Sequence, residues 1–288
     1  MNRQYVLYTS ILNPVLPVPR IYSVAKDMNC YITEDLGSSR LDSLLHSASK
    51  AEQTELLWEA TQMLIRFHEQ GRNLIALKNV ELLTLDEAQL RQFIHYFLDS
   101  FVDLFDLNSH LNEAAKDEIE GIVSHCAALR HTGFITCDFQ PRNIMSYSGR
   151  LHLIDFQDGR LGNLLYDLVS LWFSGSCSAD QDMLDELTRR LLIDSNFYES
   201  ETTFKQDLFY FAILRRLRSL GTYGQLGKKE NKPAFIAKIP ETLNQLILLS
   251  RAVSNFMNIE NLQSFFQKTQ ALFPVLDRQV IQTGKPYQ

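Results

Sequence analysis

The chain has 288 residues, 45% apolar and 22% charged, enough to bury a sizeable core in one large or two modest domains and far from the composition of disorder. Its 28 basic and 34 acidic residues leave a net charge of −6, so a nucleic-acid partner finds no global electrostatic attraction. Four separated cysteines, Cys30, Cys126, Cys137 and Cys177, form no CxxC pair and no zinc spacing with histidine, so a reducing, cytoplasmic setting is expected.

In chain order, the opening "MNRQYVLYTSILNPVLPVPR" has short apolar pieces broken by Pro14, Pro17 and Pro19, unlike a signal peptide or a membrane span. Residues 1–36 read as the remnant of a sheet. "PRIYSVAKD" and "NCYITEDL" carry β-branched and aromatic residues around a polar turn at Lys26 to Asn29. Gly37 and the serines after it mark a boundary, with residues 38–288 reading as mostly helical. From Ala51 to Gln70, Leu56, Leu57, Ala60, Met63, Leu64 and Phe67 recur at the spacing of an amphipathic helix, and Gly71 is expected to end it. Helical periods follow over 86–107 and 112–130.

Short strands come next. "GFIT" leads into a loop, and "NIM" and "LHLIDF" flank "SYSG", which suits a β-hairpin turn. Further helices are expected near 162–174, 179–193, 201–222, 234–254 and 259–273, with the tail "TGKPYQ" as a frayed end.

The central stretch "ITCDFQPRNIMSYSGRLHLIDFQDGRLG" places Asp138, Asn143 and Asp155 on a tight loop and the strand that returns beside it. Asp138 to Asn143 has the D-x-x-x-x-N spacing of a kinase catalytic loop, in which the carboxylate lies near the acceptor hydroxyl. Asn143 and Asp155 offer the hard oxygen ligands that magnesium takes alongside nucleotide phosphates and water. The spacing alone is weak. An apolar strand before Asp138, a hairpin after Asn143 and an aspartate ending "LHLID" supply the structural context it needs. The competing reading makes Asp138 and Asn143 turn caps and Asp155 a surface carboxylate.

With these residues in place, "CDFQPRNIM" and "LIDFQDGRLGNLLYDLVSLW" resemble the core of the aminoglycoside phosphotransferase and choline kinase superfamily. "FQD", "YDLVSL" and "RRLRSLGTYGQL" followed by "IPETL" are most similar to the kinases that phosphorylate N-acetylmuramate and N-acetylglucosamine at the anomeric hydroxyl. The resemblance runs from about Pro17 to about Leu249 and implies an α+β, protein-kinase-like fold. A truncated small β lobe over 1–37 would join a large, mostly helical C-terminal lobe over 38–288 that carries the catalytic-loop hairpin.

It further implies ATP and Mg2+ as cofactors, Asp138 as base or orienter, and Asn143 and Asp155 as metal ligands. "YITEDLGSSRL" resembles the hinge, where backbone groups near Glu34, Asp35 and Leu36 would meet adenine. Arg142 has two readings, a phosphate ligand or the partner of a nearby carboxylate. Gln157 and Asp158 could bond sugar hydroxyls, and Asp158 could equally cap the turn before Gly159. Asp167 is expected to satisfy loop backbone donors. His68 reads as a packing or capping residue, Cys137 as a small buried one, and His131 and His152 have no partner the sequence can name. "RRLRSL" reads as a solvated surface with one inward arginine at most.

Two departures stand out. Thr136 occupies the place where relatives usually carry histidine, which puts loop rigidity in doubt. The 36 residues before Gly37 contain no glycine, and their only lysine, Lys26, sits in a turn, so a phosphate-covering loop and a strand lysine are not found before the hinge. Three explanations compete: a translation start set too far downstream or a shortened chain, a natural protein with a reduced lobe, or a degenerate relative. Persistence of the three polar residues favours the first. The expected protein is a small-molecule kinase with a sugar acceptor and no nucleic-acid or membrane partner. Aminoglycoside, choline or homoserine acceptors, or a non-catalytic pseudokinase, are the alternatives, and the sequence assigns no oligomeric state.

Overall fold

The computed structural model describes residues 3–25, 27–129, 132–174, 177–195 and 197–273. Lys26, His131 and the tail "TGKPYQ" lie outside them. In chain order the elements are α1 (Arg3–Leu12), β1 (Ile21–Ala25), β2 (Cys30–Thr33), α2 (Leu41–Ser47), α3 (Lys50–Arg66), α4 (Arg72–Ala76), α5 (Glu87–Phe97) and α6 (Glu113–Ala128). There follow β3 (Thr132–Ile135), β4 (Ile144–Tyr147), β5 (Arg150–Leu153), β6 (Arg160–Asn163), α7 (Leu164–Trp172), β7 (Phe173–Ser174) and β8 (Cys177–Ser178). Last come α8 (Gln181–Asp194), α9 (Glu201–Gly224), α10 (Pro233–Ile236), α11 (Ile239–Val253) and α12 (Glu260–Leu272). The chain divides into two compact units, residues 1–85 with 130–204, and residues 86–129 with 205–288. Gly37 lies inside the first.

The first unit holds four antiparallel strand pairs, β1 with β2, β3 with β6, β4 with β5 and β7 with β8. The β1–β2 hairpin matches its sequence expectation. The stretch before it does not, because residues 3–12 form a helix rather than sheet. Tyr5, Tyr8, Ile11 and Leu12 repeat at helical spacing and supply a buried face, with Tyr8 only 1% exposed.

The helix expected over 51–70 is α3. Its apolar face buries Leu57, Ala60, Met63 and Leu64, and Ser49 and Glu52 close a capping box at its start. Gly71 does not end it. The chain passes through a wider π-type turn, Phe67–Gly71, directly into α4. Gly71 is needed for approach instead, since a Cβ there would lie 3.0 Å from Cβ of Phe134. Residues 162–174 also differ from expectation, because β6 precedes α7 and pairs with β3 in the register Thr132 to Asn163 and Ile135 to Arg160.

The second unit is helical. Within it α6 packs against α5 and α12, and α11 packs against α12. The Glu118 carboxylate on α6 accepts from the N–H of Asn261 (3.2 Å) and of Leu262 (2.6 Å), satisfying free donors at the start of α12. His125 Nε2 lies 2.5 Å from Oδ1 of the buried Asp207. The helix expected over 234–254 is split into α10 and α11, because Pro240 has no N–H to continue the ladder and suits a first turn instead. "RRLRSL" is not a solvated surface. Arg215 and Arg218 are half-buried, Arg218 lies 4.6 Å from the Phe93 ring, and burial lowers Arg216 to about 10.

Candidate functional site

The site is built where β3 ends and the β4–β5 hairpin begins. Past Ile135 the chain turns sharply, with Cys137 at φ 63°, and Asp138 follows. The Thr136 N–H donates to Oδ2 of the fully buried Asp167 (2.6 Å), and the Thr136 hydroxyl reaches the same oxygen (3.1 Å). That hydroxyl also accepts from the Asp138 N–H (3.3 Å). Asp167 thus satisfies loop donors as expected, and the threonine in place of histidine is itself part of the brace.

Three side chains donate to the Asp138 carboxylate. Arg142 Nη2 and Asn143 Nδ2 each reach Oδ2 at 2.9 Å, and Gln140 Nε2 reaches Oδ1. Of the two readings for Arg142, the structure shows the carboxylate pairing. Asn143 Nδ2 also bonds the Asp138 carbonyl oxygen (2.9 Å), so the amide is turned with Oδ1 away from Asp138.

Pro141–Asn143 forms a single 3₁₀ turn that delivers Asn143 to β4. Ser148 (φ 50°) and Gly149 (φ 72°) are both left-handed, which makes the two-residue hairpin loop foreseen at "SYSG". The hairpin brings the chain back so that the Ile154 N–H donates to the Asn143 carbonyl (2.9 Å). Asp155 follows at φ 60°, exposed, with Gln157 Nε2 bonded to its Oδ1 at 2.6 Å. Asp158 is exposed on the next turn.

Asn143, Asp155 and Gln157 line one cavity of about 580 Å3 together with Glu34, Asp35 and Leu36. The expected metal ligands and the expected hinge therefore face the same space. Asp138, Arg142 and Asp158 do not line it; Asp138 is joined to it through Asn143. Among the described residues no three His, Cys, Asp or Glu side chains cluster as a metal site. Two oxygen donors beside an open cavity nevertheless fit magnesium, which keeps its other positions for phosphate and water.

The sequence gives no signal for Tyr5, Tyr31 or Met145, which also line the cavity. Tyr5 belongs to the unforeseen α1. Its ring stacks on Tyr31 (5.5 Å) and on Phe156 (5.0 Å), beside Asp155. Burial, helped by the neighbouring Tyr31, pushes its phenol up to about 12, so it stays protonated. His68 is buried, as expected, with its ring edge-on to Phe197 at 6.0 Å. Cys137 is likewise buried, and no disulfide involves Cys30, Cys126 or Cys137. His152 is half-buried, its Nδ1 3.3 Å from the Arg150 carbonyl oxygen.

Residues 6–199 match the model of the phosphotransferase enzyme family. The chain is 24% identical over 243 residues to N-acetylmuramate/N-acetylglucosamine kinase of Neisseria meningitidis serogroup B, covering 81% of this chain and 71% of that one. To the protein of the same name in Pseudomonas aeruginosa it is 23% identical, covering 80% and 67%. Among solved structures, a choline/ethanolamine kinase family protein from Mesorhizobium loti superposes with a TM-score of 0.60 at 13% identity, over 93% of this chain and 83% of that one. LicA in complex with AMP gives 0.55 at 17% identity, over 89% and 80%. The fold is thus kinase-like and α+β, as the resemblance implies.

Proposed function

The chain belongs to the phosphotransferase enzyme family, and from that premise we propose that it is an ATP- and magnesium-dependent kinase acting on a hydroxyl of an amino sugar, in the cytoplasm. The observation that carries the reading is the orientation of Asn143. Its amide nitrogen fixes Asp138, which leaves its oxygen for the cavity that Asp155 shares. The acceptor class rests on the two relatives named for N-acetylmuramate and N-acetylglucosamine, and on "FQD" and "YDLVSL". We assign the anomeric hydroxyl as the site of transfer.

In this reading Asp138, held by three donors, orients the acceptor hydroxyl and takes its proton. Asn143 Oδ1 and the Asp155 carboxylate hold the metal, and the backbone of Glu34, Asp35 and Leu36 receives the adenine. Gln157 and Asp158 are assigned to sugar hydroxyls. Bound magnesium and ATP supply the phosphoryl group and neutralise its charge during transfer.

Asp138→Asn keeps the shape and removes the base. With N-acetylmuramate or N-acetylglucosamine as acceptor, turnover is expected to fall by about 10²–10⁴-fold while acceptor affinity stays near the wild-type value. Full turnover in that variant refutes the assignment. The Arg142–Asp138 ion pair favours a second reading, a site that binds nucleotide without transferring phosphate, since the guanidinium occupies the carboxylate oxygen that an acceptor hydroxyl would need. Nucleotide binding with no turnover of amino sugars, aminoglycosides, choline or homoserine would select it.

A further inference from the structure

The first unit holds a second cavity, of about 530 Å3, within the range that small-molecule sites occupy. Arg20 just before β1, Arg66 in the last turn of α3 and Arg150 at the start of β5 line it, with His152, Glu34 and Glu59. No carboxylate among the described residues pairs with any of the three guanidinium groups. Three guanidinium groups against two carboxylates leave the lining of this hollow net positive in a chain whose net charge is −6.

Its walls are fixed before any ligand arrives. The Arg20 N–H donates to Glu34 Oε2 (3.1 Å), Thr33 Oγ1 donates to the Arg20 carbonyl (2.9 Å), and the Leu153 N–H donates to the Pro17 carbonyl (2.9 Å). Asn13 Nδ2 holds the Val18 carbonyl at 2.8 Å. A pre-formed hollow spares a ligand the cost of ordering it.

We propose that this cavity binds a small phosphate-bearing ligand, a phosphorylated polyol or sugar, at a place separate from the Asn143–Asp155 cavity. A planar carboxylate is satisfied by one guanidinium fork, whereas forks from three separate elements suit a tetrahedral oxyanion. Glu59 is left to accept from ligand hydroxyls, which favours a sugar phosphate over bare phosphate. Met63 and Leu151 give the carbon skeleton an apolar wall. The proposal concerns binding alone and does not rest on the kinase reading.

The two cavities share Glu34, so the test separates them. Glucose 6-phosphate and inorganic phosphate are titrated calorimetrically into the full chain at constant ionic strength without divalent cation. Saturable binding of glucose 6-phosphate is expected in the wild type and in Asp155→Asn. Arg66→Ala and Arg150→Ala, both at exposed positions, are expected to weaken it by about tenfold or more, with Arg66→Lys intermediate. Melting curves of the unliganded variants establish that they are folded, and Arg66→Gln replaces any that is not. Absence of saturable binding of either probe at millimolar concentration overturns the proposal, as does unchanged affinity in the arginine variants. Loss of binding in Asp155→Asn also overturns it, by placing the ligand in the other cavity.

Discussion

Thr136 joins two sides of the Asp138 loop through one oxygen, accepting from the Asp138 N–H while donating to Asp167. Thr136→Val conserves shape and removes both contacts, so stability is expected to fall by about 1–3 kcal/mol in urea unfolding. Turnover should fall more than acceptor affinity, because a displaced Asp138 costs orientation rather than binding. An unchanged ratio of the two would reduce Thr136 to a packing residue. In the second unit, His125→Ala strands the buried Asp207 without its imidazole partner, and a loss of about 1–3 kcal/mol is expected. Asp138, Asn143 and Asp155 are legible in the sequence because a single loop and a tight hairpin carry all three, so their proximity is a local property. Tyr5 is not, since only the packing of α1 on the strands brings its ring to Tyr31 and Phe156.

At the scale of elements, β3 is held against the turn Phe67–Gly71 by a missing side chain on each partner. A Cβ on Gly133 would lie 2.4 Å from the backbone oxygen of His68, and a Cβ on Gly71 3.0 Å from Phe134. Gly71→Ala is expected to cost about 1–3 kcal/mol by overpacking, and Gly133→Ala more, because backbone yields less readily than a ring. Urea titration of both variants checks the order. An ion pair bridges α3 and α8: Arg190 of α8 grips Glu55 of α3 through both terminal nitrogens (3.0 and 2.7 Å) and Glu186 of its own helix through Nε (2.7 Å). Hydrogen bonds from Arg189 and Arg190 hold Glu186 down at about 2, against an ordinary 4.5, and Arg190 lowers Glu55 too. Both carboxyls bind protons less readily folded than unfolded. Their contribution is therefore present above about pH 4.5 and lost as pH falls towards 2. Arg190→Gln should make acid unfolding shallower across that window, as followed by circular dichroism. Helices such as α3 are legible because one buried face leaves a period in the sequence. β6 leaves none: "RLGN" does not alternate, and its partner strand is distant in the chain. α1 escapes notice because the tyrosines and isoleucine that give it a helical face suit a strand equally.

On the scale of the whole molecule, each unit is assembled from two separated stretches, and residues 86–129 interrupt the first. The interruption sets the order in which partners become available on the ribosome. When residues 67–71 have left the exit tunnel, β3, which packs against them, has not been made, and β6 follows later still. During that interval Phe67, Leu64 and Met63 have no completed core to enter, and a nascent chain stalled before Asn163 is expected to be cut quickly by protease and retained by chaperones. In chains released after α8 the segments of the first unit should resist cleavage, whereas residues 86–129, whose partners come from residues 205–288, should still be cut. The inserted segment thus acts as a delay line in translation, and the first unit becomes protease-resistant late in synthesis.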